Sequence, residues 1–184
     1  MANLDASFGM KPVRMMGGSP YSGGQSRYRI AANYGTSIFQ GDMVMQVTGG
    51  TVEIHADGGT VPIVGVFNGC EYTDPTTGKV TFSNYYPAST NASDIIAFII
   101  DDPMVVFEIQ ADAVFPITDL FGNFDIIYTT AGSTQSGISG SELEVSTGGT
   151  GTSLPLKAID ISQDPDNSDV ATANANIKVV IENH

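Results

Sequence analysis

From Ser26 onward, apolar residues recur at every second position along much of the chain. In SRYRIAAN, Tyr28 and Ile30 alternate with Arg27 and Arg29, the period of a half-buried strand, and the two arginines share one face. In GDMVMQVTGGTVEIH, Met43, Met45 and Val47 lead into Gly49-Gly50, and Val52 and Ile54 resume beyond it, the pattern of a hairpin. VPIVGVFNGCEY, KVTFSNYY, DIIAFII, MVVFEIQA, FDIIYTT, ELEVS, LPLKAIDI and NIKVVIE are further strand-like runs, separated by turn clusters. Two of these breaks are specific. Asp101-Asp102-Pro103 interrupts two β-branched runs where proline cannot donate a ladder hydrogen bond, and DPTTGK (Asp74 to Lys79) is a proline and glycine turn. Only SIFQ, the TDLF region and ATANAN have room for a helical turn or two. The pattern predicts an all-β fold, a compact β-barrel or β-sandwich of about ten short strands, with residues 26–184 as a single domain.

Residues 1–25 read differently. Phe8, Met10, Met15, Met16 and Tyr21 are scattered among Gly17, Gly18, Pro20, Gly23 and Gly24 with neither helical nor strand periodicity, which predicts an extended N-terminal arm. Disordered tails are poor in large apolar residues, so these anchors argue for an arm that orders on contact. Burying each anchor yields roughly 1.5–3 kcal/mol, whereas fixing each residue costs on the order of 1 kcal/mol or more, so backbone pairing and charge contacts with a partner must supply the rest.

Charge sharpens the division. Lys11, Arg14, Arg27 and Arg29 lie in the first thirty positions with Asp5 as the one acidic residue there, leaving 3 basic and 19 acidic residues in the other 154. A basic leader on an acidic body suits docking to an acidic partner, while the formal charge of −13 keeps bodies apart and argues against nucleic acid as a ligand. The opening MANLDASFGMKPVRMM has no apolar run like a secretory h-region, and no stretch approaches the roughly 18 apolar residues of a spanning helix, so assembly in a cytoplasm without a membrane partner is expected. Without secretion the Asn91-Ala92-Ser93 sequon carries no meaning, and the single Cys70, among apolar neighbours, reads as a reduced strand residue.

Candidate chemistry is sparse. His55 falls in a predicted strand, where a partly exposed structural histidine is expected, and His184 at the C-terminus; two such histidines give no zinc set, and no GxSxG elbow accompanies His55. GGTGT (Gly148 to Thr152) lacks the lysine, spacing and helix of a phosphate loop and reads as a flexible turn. Asp101-Asp102 fits a solvated turn better than a catalytic pair. In DPDNSD, Asp164, Asp166, Asn167 and Asp169 offer oxygen ligands for calcium, but Pro165 and the missing glycine and terminal glutamate depart from the EF-hand pattern. No catalytic residue, cofactor or metal is therefore assigned, and the chain is not expected to be an enzyme.

MANLDASFGMKPVR, SRYRIAANYGTSIFQGDMV, VGVFNGCEYTDPTTGK, IIDDPMVVFEIQAD and IKVVIENH together resemble the head decoration, or capsid cement, proteins of tailed bacteriophages, particularly aquatic ones. The resemblance spans most of the chain; Ser133 to Thr152 looks generic. It implies a virion structural protein that binds the outside of the expanded capsid as a homo-oligomer, a trimer at local three-folds in preference to a dimer at two-folds. Its partner would be the major capsid protein. The expected capsid-docking residues are Phe8, Lys11, Arg14, Met15, Met16, Tyr21, Arg27 and Arg29. The alternatives are another virion or cell-surface structural module, such as a tail or adhesin component, and a small β-barrel enzyme or ligand binder.

Overall fold

Strand pairing follows from the alternation. A computed structural model describes residues 2–55, 61–149 and 154–184. A first six-stranded sheet runs, edge to edge, β1 (Lys11–Met15), β10 (Val105–Gln110), β14 (Asn176–Ile181), β13 (Leu156–Ile161), β11 (Asn123–Tyr128) and β12 (Ser141–Gly149). A second sheet runs β2 (Ser26–Arg29), β9 (Ile96–Ile100), β6 (Ile63–Thr73), β4 (Met43–Val47) and β5 (Thr51–Ile54), with β7 (Val80–Ser83) also paired to β6. A short ribbon pairs β3 (Ile38–Phe39) with β8 (Tyr85–Tyr86). The fold is all-β, and every pair of these named strands is antiparallel.

The second sheet is the middle layer. Met43, Ile63, Val66 and Ile100 point into a core shared with Phe107, Ile109, Phe124, Ile126, Ile177 and Val179 of the first sheet. Their chain neighbours Val44, Phe67 and Ile99 point the other way, into a second core closed by Ile30, Val52, Ile38 and Tyr86. This is the period-2 geometry of a strand buried on both faces. The sheet curls until its outer strands β2 and β5 meet, a barrel-like half against a sandwich-like half.

The expected hairpin through Gly49-Gly50 is β4–β5, both glycines having positive φ (106° and 75°). DPTTGK is the turn joining β6 to β7, where the Asp74 carboxylate accepts from the N–H groups of Thr76 and Thr77. SIFQ is corrected from a helical turn to β3, because Ile38 and Phe39 are both buried and paired with β8. ATANAN forms a turn leading into β14, and the TDLF region contains a single 3-10 turn at Ile117–Asp119. Most of GGTGT lies outside the described residues.

The larger correction concerns residues 1–25. The segment expected to wait for a partner has one in its own sheet: β1 pairs with β10, and Met10, 2% exposed, is part of the first core. Further back, the Gln110 side chain accepts from the Ala6 N–H and donates to the Leu4 carbonyl, while Asn167 also donates to Leu4. Asn3 donates to the carbonyls of Asp169 and Ala173. The period that would betray a strand is broken by a register shift between Pro12 and Arg14, which leaves Val13 unopposed. Residues 2–10, held by these side-chain bonds, and the connection from the β1 turn to β2 lie outside regular strand pairing.

Candidate functional site

The eight candidate docking residues separate onto two surfaces. Six lie along β1 and its flanks. After Met15 the chain turns at once: the Met15 N–H donates to the Ser19 carbonyl and the Gly18 N–H to the Met15 carbonyl, so that Arg14 bridges back to Pro20. The turn is stitched to the crossover joining β9 to β10 by a hydrogen bond from the Met16 N–H to the Met104 carbonyl, 2.7 Å. Met16 and Met104, 43% and 52% exposed, thus stand at one end of the sandwich. Lys11 is exposed and Arg14 half-buried, its guanidinium donating to the Met15 carbonyl.

Met15 and Tyr21 are half-buried against the first core and are not free anchors. The Tyr21 hydroxyl donates to the Gly24 carbonyl, and burial, reinforced by Asp101 and Asp102, pushes its pKa above the ordinary tyrosine value. Phe8 is half-buried and, with Met10, Lys11, Gln40 and Glu108, lines a cleft of ≈ 360 Å³ beside β1.

Arg27 and Arg29 stand elsewhere, exposed on one face of β2 as the alternation requires. The Arg27 guanidinium pairs with Glu71 and lies 5.5 Å from the centre of the Phe98 ring. Cross-strand partners share a face of the sheet, so Arg29, Ile96, Glu71 and Phe82 form one row across β2, β9, β6 and β7. Along β9 the same face carries Ile96, Phe98 and Ile100, of which Ile100 is buried beneath the first sheet while the other two are half-exposed. One face of the second sheet is therefore core at one end and open at the other. Phe82 and Val80, 70% and 66% exposed on the outer strand β7, extend the open part. The alternation of KVTFS marks their common face, but nothing in that run says that no second layer of the described residues covers it.

The buried polar groups serve the scaffold. His55 is corrected from partly exposed to fully buried, its Nε2 lying 3.0 Å from the Val61 carbonyl oxygen. Its carbonyl accepts from the Tyr128 hydroxyl, linking the two sheets. Asp42 accepts from the Phe39 N–H at 2.7 Å and the Ser139 hydroxyl at 2.5 Å; burial pushes its pKa up to about 6, against the lowering effect of both bonds. Burial also pushes the Cys70 thiol up to about 12, so the thiolate needed for reactivity is scarce at neutral pH.

The DPDNSD oxygens are largely spent on the chain itself. Asp164 accepts from the Asp166 N–H and the Asn176 amide, and Asn167 is buried, donating to Leu4 and Asn174. Among the described residues no group of three or more His, Cys, Asp or Glu side chains is placed to hold a metal ion. No family model, no curated protein and no solved structure matches this chain.

Proposed function

We propose that this chain is a structural protein of a tailed-bacteriophage virion, binding the exterior of the capsid and stabilising the shell through contacts with major capsid protein subunits. The observation that carries the reading is the β1 turn. It presents Met16 beside Met104 at one end of a rigid sandwich, with Lys11 and Arg14 on the same strand. Unbranched, polarizable methionine side chains adapt to a partner surface, and this end carries charges of both signs, Arg14 on β1 and Asp101 and Asp102 on the crossover, that can pair with polar groups of a partner. A strand stitched into the body holds this end in place before contact, which lowers the ordering cost of binding. The choice of the major capsid protein as partner rests on the resemblance of the sequence segments from MANLDASFGMKPVR to IKVVIENH to capsid decoration proteins.

The test is decoration of expanded shells built from the major capsid protein of the same genome. Wild-type protein should label the shells in electron micrographs, and Met16→Asp with Met104→Asp should lower affinity at least ~10-fold while the circular dichroism spectrum is unchanged. Lys11→Glu should weaken binding less, and more strongly at low salt. Failure of the wild-type protein to bind shells, or binding untouched by the double substitution, would sink the reading.

A further inference from the structure

The open half of the second sheet is an unusual surface for this chain. Arg27, Arg29 and Lys79 lie on or beside it together with Glu71, Asp74 and Asp94, three charges of each sign. The rest of the sequence then carries 4 basic and 17 acidic residues. Two copies meeting through this balanced half-face do not meet as like charges, whereas the acidic excess of the rest of the sequence opposes association through most of it. Its apolar members are large: Phe82 and Val80 are more exposed than half, and Phe98 and Ile96 continue the same face toward the core. Among the described residues the outer edge of β7 is also unpaired, β7 joining β6 alone.

We infer that this half-face, Phe82, Ile96 and Phe98 with Arg29, is covered in solution by the same face of a second copy of the chain. The row Arg29, Ile96, Glu71, Phe82 fits itself when reversed. Strands are spaced about 4.8 Å apart, so the row spans roughly 14 Å from β2 to β7. A two-fold axis lying in the interface along the strands, between β9 and β6, sets Arg29 of one copy over the Phe82 ring of the other, and the reverse. An arginine over an aromatic face is attractive, more so once desolvated. Glu71 meanwhile remains neutralised by Arg27 of its own chain, so no unpaired carboxylate is buried at the centre. An axis perpendicular to the strands would instead place Arg29 against Arg29, which selects the first arrangement.

This dimer is formed by the protein alone and does not depend on the capsid reading; it assigns Arg27 and Arg29 to self-contact and leaves the β1 turn free for docking. The test is sedimentation velocity of the full chain at physiological salt from about 1 to 200 µM, a range that brackets micromolar dissociation constants. A monomer–dimer equilibrium is expected. Phe82→Glu should raise the dissociation constant at least ~100-fold and Arg29→Glu at least ~10-fold, each with an unchanged circular dichroism spectrum. Phe121→Glu, which alters an equally exposed aromatic beside the first sheet, should leave it unchanged. Amide exchange should slow at Val80–Ser83 and Ile96–Phe98 as concentration rises. A wild-type monomer throughout that range, a trimer, or a dimer indifferent to Phe82→Glu would each overturn the inference.

Discussion

Ser139 Oγ stands 2.5 Å from Asp42 Oδ1 with neither side chain open to water, tying the approach to β12 to the turn that precedes β4. The pair joins the two sheets through a carboxylate that is costly to ionise where it sits.

Asp42 should therefore give the fold a distinctive pH response. Its pKa rises from 3.8 to about 6 on folding, so the native state holds the proton more tightly than the unfolded chain. The contribution is fully present below the unfolded value and is lost as pH climbs toward 6, by an amount on the order of 3 kcal/mol. Asp42→Asn keeps the shape and removes the titration. In urea denaturation, the stability of the variant relative to wild type should improve between pH 4 and pH 7; a pH-independent difference would contradict the assignment.

Residues 1–16 should be required for stability, not merely for binding. Met10→Ala should cost about 2–5 kcal/mol, the range for deleting a buried large side chain. Gly9→Ala should also destabilise, because its φ is +69° and an added Cβ would stand 2.6 Å from Ser139 Cβ. Thermal unfolding measures both, and a wild-type transition for either variant would mean that the segment is an independent arm.

Gln110 should control the N-terminal segment specifically. Gln110→Ala leaves the Ala6 N–H and the Leu4 carbonyl without that partner, so amide exchange at Ala6 should quicken by at least ~10-fold while amides of β13 and β14 keep their protection. Uniform loss of protection would instead place Gln110 in the global folding unit.

Cys70 should be inert in the native state. With the thiol buried and its pKa near 12, a disulfide reagent at pH 8 should label the protein only after denaturant is added. Rapid labelling of folded protein would show that β6 opens readily.

Alternation made the body legible: each run singled out from Ser26 onward contains a strand, because a sheet face needs apolar residues at every second position whichever neighbour it meets. Alternation does not encode who that neighbour is. Ile96, Phe98 and Ile100 look equivalent in sequence, yet only Ile100 lies under the first sheet. The β1 strand was hidden for a local reason, the Val13 bulge and the glycine at position 9, which interrupt the period on both sides of Met10. Among the candidate docking residues, the shared face of Arg27 and Arg29 was readable. The burial of Met15 and Tyr21 depends on contacts remote in sequence and was not.

The hydrogen bonds from Asn3 to Asp169 and Ala173 join residues 166 and 170 positions apart. A ribosome adding about 5–20 residues per second completes the second of these partners on the order of ten seconds or more after the first. Through that interval the Leu4–Ala6 stretch lacks Asn167 and β14, so the N-terminal segment is a late-closing clasp in vectorial synthesis. During synthesis, residues 3–6 should remain open to proteases until the β13–β14 hairpin has emerged.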